Sequence, residues 1–428
     1  MGYDVLIRGA AFDIAIEDGA IAATGPELAG SAGEEIDARS LWVLPGVIDA
    51  HVHFNEPGRT DWEGWETGTR ALAAGGATAC IEMPLNASPP TVDGAAFDAK
   101  VAAAGRSALV DFALWGGLVP GDLDRLDELA GRGVVGFKAF MCDSGIADFA
   151  AVDEDVLAAG MSRAAALGLP VAVHAESPAL LRAPAGAGWR DFAASRPVEA
   201  ELRAIDSALA LAEQTGCSLH VVHVSSGRGV SLVAEARSRG VDATCETCPH
   251  YLVLTETDLE VLGPRAKCAP PLRPAAERDS LWEHLAAGRI ALVASDHSPC
   301  PPAMKAGDFG SAWGGIAGAQ TLLALLLDDG RLEPGAVVAL TSANVAARFR
   351  LPKCGLEPGA DADLALVDVD ARGTVEPLDR HRANPFAGRA LRGRVVRTIV
   401  RGTTVFREGR IAAAAPVGRL LKPTKGET

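Results

Sequence analysis

Long apolar runs, a basic N-terminus and an excess of positive charge are all missing from this sequence. No stretch of the 428 residues approaches the ~18 consecutive apolar residues of a membrane span. The first residues, M-G-Y-D-V-L-I-R, lack the basic region followed by an apolar run that marks a secretory signal. The net charge of −15 argues against nucleic acid or an anionic membrane surface as a partner. These absences predict a cytoplasmic protein that binds neither nucleic acid nor membranes.

Phosphate-binding and zinc-knuckle motifs are also lacking. No G-x-G-x-x-G follows the first strand-like run of the alternating region, and G-x-x-x-x-G-K-[ST] occurs nowhere, so dinucleotide and phosphate-loop chemistry have no support. The eight cysteines are scattered, which predicts reduced thiols. Cys245 and Cys248 form one C-x-x-C before Pro249 and His250, with no second pair nearby. A structural role is therefore favoured over a zinc knuckle.

What the chain does contain is a strand–helix alternation. Apolar or β-branched runs occur at 46–52, 77–83, 109–115, 134–140, 170–175, 218–224, 241–246 and 290–295. Segments rich in Ala, Leu, Glu and Arg predict helices at 64–74, 95–104, 122–131, 153–167, 199–215, 228–239 and 277–287. Such alternation predicts an α/β fold with a parallel sheet, and eight repeats favour a closed (β/α)8 barrel of the TIM type. A doubly wound open sheet is the alternative.

The two ends of the chain have a different pattern, of short strands joined by turns. The predicted strands are Tyr3–Arg8, Phe12–Glu17, Ala20–Thr24, Asp363–Asp368, Arg394–Arg401 and Thr404–Phe406. Asp18-Gly19 is a strong hairpin signal, and Arg401-Gly402 is a second turn. Neither end can close a core alone, so we expect them to form one discontinuous β domain. The predicted division is 1–45 and 349–428 for this domain and 46–348 for the barrel.

Polar residues stand at the ends of the predicted barrel strands, where such barrels carry their active sites. The stretch Gly46–Gly58 reads G-V-I-D-A-H-V-H-F-N-E-P-G, with His51 and His53 one residue apart. Side chains at i and i+2 project from one face of a strand, so both imidazoles can reach a common metal. Other strands carry or end in Lys138, His174, His220, His223, Asp296 and His297.

Each of these residues taken alone has a simpler explanation. A strand-end histidine is more often a hydrogen-bonded core residue, Lys138 could extend to solvent, and Asp296 could cap a helix. Together, so many ionisable groups around one barrel mouth are costly to bury without a compensating cation. Histidine and carboxylate ligands suit zinc or a similar divalent metal. Lys138 would be repelled as an ammonium, but a neutral lysine can react with carbon dioxide to give a carbamate that bridges two metals.

Several long stretches carry a family resemblance. They are HVHFNEPGRTDWEGWETGTRAL (51–72), IEMPLNASPPTV (81–92), VGFKAF (135–140), HVSS (223–226), CETCPHYL (245–252), KCAPPLR (267–273), SDHSPCPPAMKAG (295–307) and WGGIAG (313–318). With them the chain resembles the cyclic amidohydrolases (dihydroorotase, hydantoinase/dihydropyrimidinase and allantoinase), and it is most similar to the allantoinases. The resemblance covers nearly the whole chain and implies a distorted barrel with a small β domain, a β-sandwich, from both termini.

The resemblance also implies a cofactor. Six positions match the family's metal ligands: His51, His53, Lys138, His174, His223 and Asp296. It implies one divalent ion held by the first two histidines and Asp296, and a second held by the other two histidines. Zn²⁺ is the expected metal, and carboxylated Lys138 would bridge both ions. His220 is then a non-ligand.

The substrate is predicted from positions at which this chain differs from other members of the family. Dihydroorotases have an arginine where this chain has Asn55, and an amide does not replace a bidentate contact with the substrate carboxylate. Hydantoinases usually have a tyrosine soon after the lysine; here Cys142, Asp143 and Ser144 would line that side and suit a small polar ureide. Further candidate substrate contacts are Ala269, Trp313 and Gly314.

The function implied is hydrolysis of the ring amide of allantoin to allantoate in purine and ureide catabolism, with Asp296 as general base and acid. The alternatives are a hydantoinase or dihydropyrimidinase acting on other cyclic ureides, and a non-catalytic scaffold that has lost metal ligands. The resemblance also implies a homo-oligomer, a tetramer or dimer.

Overall fold

The computed structural model describes residues 2–121 and 123–424. The first residue of the predicted helix 122–131, and the outermost residues 1 and 425–428 of the predicted β domain, lie outside the described residues. The strands are β1 Gly2–Arg8, β2 Asp13–Glu17, β3 Ala20–Gly25, β4 Ser31–Asp37, β5 Trp42–Pro45, β6 Val47–Val52, β7 Ala77–Glu82, β8 Asp111–Leu114, β9 Gly116–Gly117, β10 Phe137–Phe140, β11 Val171–His174, β12 Leu219–Val221, β13 Ala243–Thr247, β14 Leu292–Val293, β15 Leu364–Thr374, β16 Ala390–Val400, β17 Thr403–Arg407 and β18 Arg410–Ile411.

The α-helices are α1 Trp65–Ala74, α2 Gly94–Ser107, α3 Asp124–Arg132, α4 Glu154–Ala166, α5 Trp189–Ser195, α6 Val198–Thr215, α7 Gly227–Ser238, α8 Pro249–Val253, α9 Leu259–Leu262, α10 Ala275–Ala286, α11 Leu322–Leu327, α12 Pro334–Val338 and α13 Asn344–Phe349. Shorter 3-10 turns lie at Glu256–Asp258, Gly263–Ala266, Pro302–Lys305 and Ala319–Thr321, and one π-turn lies at Ala339–Ala343. Within the described residues, no helix combines the length and apolarity needed to cross a membrane.

The parallel strands form a distorted barrel. Strands β6, β7 and β8 make one sheet, and β9 to β14 make a second. Trp115 alone separates β8 from β9, so these two pieces serve as one barrel strand. Between β14 and β6 the ring is completed by main-chain hydrogen bonds of His297 with His51 and His53. The eight predicted strand positions are therefore occupied, and the α/β barrel class is confirmed.

Local sequence explains the regularity of the barrel. All residues of β6, β7 and β11 are buried, as expected for strands covered on both faces, and they form continuous apolar runs with few polar residues. Helices between them begin at side-chain caps: Asp93 accepts from Ala96 N, and Asp153 accepts from Val156 N. Gly133 ends α3 with φ 96°, a left-handed conformation that glycine adopts without steric penalty.

The terminal strands form two facing sheets. One sheet has the order β3-β2-β1-β4, and the other has the order β18-β17-β16-β15-β5. Ile7, Ile14 and Ile16 of the first sheet pack against Leu364, Leu366 and Ile399 of the second. Strand β5, from the N-terminal part, hydrogen-bonds to β15. The predicted domain bounds at residues 45 and 348 stay a prediction, and the chain beyond residue 418 returns to the barrel, where Leu420 bridges to Phe112.

A buried ion network links this β-sandwich to the barrel. The Lys353 ammonium lies 2.7 Å from the carboxylates of Asp111 and Asp361 and 2.6 Å from that of Asp363. Asp111 lies in β8, whereas Asp363 directly precedes β15. These three carboxylates lie close enough together to hold a metal, but the Lys353 ammonium already pairs with all three and the Arg401 guanidinium pairs with Asp111. We therefore interpret the cluster as a structural network.

Lys353→Met is expected to lower the free energy of unfolding by about 3–5 kcal/mol, the usual cost of removing one partner from a buried ion pair. Asp363 is 4% exposed and would lose the only ammonium partner that it has within residues 2–121 and 123–424. Urea denaturation followed by circular dichroism measures the change. The matched control is Arg70→Met, because Arg70 pairs with Glu66 at the surface and such pairs contribute less than about 1 kcal/mol. Equal losses in both variants would contradict the prediction.

Candidate metal centre

The six predicted metal ligands converge at the carboxyl ends of the barrel strands. Five of them, His51, His53, His174, His223 and Asp296, line one cavity of about 390 Å³. Lys138 lies in β10 with no exposed surface and is not among the lining residues. Six ionisable groups from five strand ends, all buried, are therefore gathered at one place.

The first three ligands form one cluster. Asp296 Oδ1 lies 3.2 Å from His51 Nε2 and 3.5 Å from His53 Nε2. These three residues can place one ligand atom each within 4.8 Å of one another, as a metal site requires. Asp296 has φ 45°, in the left-handed region that costs a non-glycine residue ~1–3 kcal/mol and that is enriched at functional sites.

The other two histidines form a second cluster beside the first. His174 Nδ1 and His223 Nε2 are 3.0 Å apart. The His223 ring also lies 5.4 Å from that of His51, centroid to centroid, so the two clusters adjoin. Phe140 stacks on His174 at 4.5 Å, and the Lys138 ammonium lies 4.9 Å from the same Phe140 ring. Lys138 is thus close to the second cluster.

Two buried glutamates orient the ligand histidines. Glu246 accepts from His51 Nδ1 at 2.5 Å and from His220 Nε2 at 3.1 Å, leaving His51 Nε2 facing Asp296. Glu176 accepts from His174 Nε2 at 2.8 Å and also pairs with Arg196. Carboxylates behind histidines in this way fix the tautomer of metal-binding imidazoles. Neither glutamate is among the residues predicted from the sequence. Glu176 stands two residues after His174 in H-A-E (174–176), and Glu246 lies in β13, one residue before the strand ends, in C-E-T-C (245–248).

The charges of the site fit divalent cations. Burial lowers the pKa of Lys138 to about 7 and that of His53 to about 4. Burial would raise the pKa of Asp296, but His51 and His53 outweigh it and hold that pKa well below its usual range. Among the described residues, Lys138 Nζ and one ring nitrogen each of His53 and His223 have no hydrogen-bond partner. Imidazole nitrogens and a carboxylate oxygen are the atoms that bind a metal such as zinc. Here glutamates orient the His51 and His174 rings, and several groups of the site lack hydrogen-bond partners.

The predicted substrate contacts divide into two groups. Ser144, Ala269, Trp313 and Gly314 line the cavity, as Asp143 does. Asn55 and Cys142 are buried but do not line it. The Asn55 amide nitrogen donates to Pro299 O at 3.4 Å, and its Oδ1 is buried without a partner among the described residues. The Cys142 thiol lies 3.8 Å from Asp143 O and 3.9 Å from the Arg196 guanidinium.

Asn86 and Ser298 line the cavity as well, and the sequence analysis did not single them out. Among the described residues, neither side chain makes a hydrogen bond, so both are free to contact a ligand. Asn86 has φ 70°, a conformation that asparagine tolerates better than most residues. Ser298 stands two residues after Asp296, on the same loop.

Arg196→Met is expected to weaken metal binding at the second cluster by about 10–100-fold, the usual effect of losing a residue behind a ligand. Without the guanidinium, Glu176 no longer has two partners and holds His174 less firmly. Chelator competition, with metal content measured per chain, reports the affinity. Arg182→Met is the control, because Arg182 is exposed on the neighbouring loop. Unchanged affinity in Arg196→Met would refute the role given to this contact.

Comparisons with known proteins agree with this geometry. The sequence profile of the amidohydrolase family matches residues 42–405. The chain is 58% identical to an allantoinase of Rubrobacter xylanophilus and 48% identical to one of Deinococcus radiodurans, each over 99% of both chains. Its structure is similar to L-hydantoinase (dihydropyrimidinase) from Arthrobacter aurescens, with a TM-score of 0.95 at 35% identity over 98% of this chain and 100% of the other. The predicted resemblance is confirmed: this chain belongs to the amidohydrolase family.

Proposed function

We propose that this amidohydrolase opens the hydantoin ring of allantoin by hydrolysing a ring amide, giving allantoate. The observation that carries the proposal is the gathering of the expected ligand positions, five in the wall of one cavity and Lys138 buried beside the second cluster, in a chain that matches allantoinases over 99% of its length. A small polar ring suits this cavity, because Asn86 and Ser298 line its wall with polar side chains that make no hydrogen bond within the described residues.

The residues proposed to hold two divalent ions, with Zn²⁺ expected, are His51, His53 and Asp296 for one and His174 and His223 for the other. Lys138, converted to a carbamate by carbon dioxide, would bridge them. Its pKa of about 7 supports this, because the neutral amine needed for the reaction is then abundant at neutral pH. When bound, such ions supply Lewis acidity that activates water and polarises a carbonyl.

The protein's own groups account for the proton transfers. The His51 and His53 rings hold the Asp296 carboxylate at the cavity floor, and burial excludes competing solvent. Asp296 accepts a proton from the attacking water as the new C–O bond forms at the ring carbonyl. It then returns that proton to the ring nitrogen as the C–N bond breaks. Ring opening gives a single product, allantoate, whose new carboxyl group releases the second proton of the water to solvent, and Asp296 regains its starting state.

A substrate panel on metal-loaded protein tests the proposal. We expect allantoin to give the highest kcat/KM among allantoin, hydantoin, dihydrouracil and dihydroorotate. Higher values for hydantoin or dihydrouracil would replace the proposal with the hydantoinase or dihydropyrimidinase alternative, the activities for which the similar solved structures are named. Full metal content with no turnover of any of the four would favour the non-catalytic scaffold.

We further propose that the protein works as a cytoplasmic homo-oligomer, a tetramer or dimer, with a small cyclic ureide as its ligand. The support is the resemblance stated above and the acidic net charge of −15. Sedimentation velocity on the full chain distinguishes the two assemblies from a monomer.

A further inference from the structure

Two irregular segments form one wall of the cavity. Residues 298–315 contribute Ser311, Ala312, Trp313 and Gly314, and residues 263–269 contribute Lys267 and Ala269. Apart from the short turns Gly263–Ala266 and Pro302–Lys305, these segments have no regular secondary structure. Their main-chain carbonyls therefore lack the partners that a helix or sheet would supply.

Lys305 supplies several of those partners. Its ammonium donates to Gly315 O at 2.6 Å, Trp313 O at 2.9 Å and Pro264 O at 3.0 Å, and it lies 3.4 Å from Lys267 O. One side chain thus joins the C-terminal end of its own loop to the neighbouring segment.

Lys267 makes the reverse connection. Its ammonium donates to Ala312 O at 2.5 Å, lies 3.5 Å from Gly310 O, and rests 4.6 Å from the centre of the Phe192 ring. Its main-chain carbonyl accepts from Gly315 N at 2.8 Å. Each lysine therefore holds main chain of the segment that carries the other.

Neither lysine forms an ion pair with a carboxylate within the described residues. A lysine that is withdrawn from water is normally paired with a negative charge. Here carbonyl dipoles take that place, and burial lowers the pKa of both lysines to about 8. A surface lysine that only improved the hydration of the protein would keep its ammonium in water.

We propose that Lys305 and Lys267 form a reciprocal clasp, which fixes the main chain at 310–315 as a cavity wall and positions Trp313 against the substrate. Both are positioning residues that act through carbonyl oxygens. The substrate part of this inference rests on the function proposed above, whereas the clasp itself does not.

The test uses Lys305→Ala in the metal-loaded full chain. The substitution leaves several buried carbonyl oxygens without a hydrogen-bond partner. Because each lost hydrogen bond changes an equilibrium constant by roughly tenfold, KM for allantoin should rise by about tenfold or more. We expect kcat and metal content to stay close to wild type. Hydrogen exchange, measured by mass spectrometry, should accelerate at 310–315 and leave the barrel strands unchanged.

Chemical rescue separates a clasp from a general structural role. Propylammonium replaces the atoms removed in Lys305→Ala, so it should restore both KM and slow exchange. Tetramethylammonium at equal concentration has no N–H donor and should restore neither. Lys305→Met fills the same space without donors, and propylammonium should not rescue it.

Unchanged exchange and KM in Lys305→Ala, or equal rescue by the two ammonium ions, would overturn the proposal. Loss of bound metal would also overturn it, because the effect would then pass through the metal centre. If Lys305→Ala does not fold, Lys267→Met removes fewer contacts and must show the same faster exchange at 310–315. If wild-type protein fails to hydrolyse allantoin, the proposed function falls, while exchange and its rescue still decide on the clasp.

Discussion

Lys138→Ala is expected to lose bound metal and hydrolytic activity together. Lys138 is fully buried, and its ammonium has no hydrogen-bond partner among the described residues. Its charge lowers the pKa of His53 in the first cluster and of His174 and His223 in the second, although burial is the larger cause for all three. A cation that acts on both clusters would oppose metal binding, whereas an anionic carbamate would join them. Metal analysis and a turnover assay on the same sample measure both losses.

A short carboxylic acid should restore part of both properties, because it can place an anionic carboxylate where the carbamate would lie. The control is Lys100→Ala, another fully buried lysine. Lys100 pairs with Glu82 and donates to Met83 O at 2.9 Å. Its loss should therefore lower stability, leave the metal content unchanged and show no rescue by the acid. A full metal complement in unrescued Lys138→Ala would rule out the bridging role.

Asp296→Asn is expected to lower kcat by about 10²–10⁴-fold or more, the contribution usually made by a positioned acid–base group. The amide has the size of the carboxylate but cannot accept and return a proton. Thermal unfolding should change little, because His51 and His53 still surround the side chain. Steady-state kinetics and metal analysis together separate loss of proton transfer from loss of metal.

The matched control is Asp143→Asn, since Asp143 is the other carboxylate that lines the cavity. Its side chain accepts from Gly145 N at 2.9 Å and has no contact with a ligand histidine. We expect this variant to keep kcat within a few-fold of wild type. Similar losses in both variants would show that cavity charge, rather than proton transfer by Asp296, controls the rate.

The sequence predicted the elements that repeat. Strands β6, β7 and β11 are mostly apolar because both faces are covered, and that pattern is visible without coordinates. The period of two in a strand placed His51 and His53 on one face. Strand β4, S-A-G-E-E-I-D, was missed because its polar residues are exposed and only Ile36 is well buried. Strand β5 was missed because Pro45 and Gly46 interrupt its apolar run.

Residues that act on other residues were harder to find from sequence. Glu246 is 195 positions from His51, yet its carboxylate meets the imidazole at 2.5 Å. Arg196 approaches Glu176 from a different loop, and Lys305 joins carbonyls that carry no sequence signal at all. That Asn55 and Cys142 contact the substrate stays a prediction, and the sequence gives no sign of the main-chain carbonyls that lie near both side chains.

The barrel, the terminal β-strands and the ionisable residues at strand ends could be predicted from the sequence, because periodicity and burial act over a few neighbouring residues. The packed fold was needed to show which carboxylate stands behind which histidine, which side chains reach the cavity and how the wall at 310–315 is held. Those outcomes depend on side-chain directions and on contacts between segments far apart in the chain. Neither the directions nor the contacts can be predicted from the pattern of hydrophobic residues.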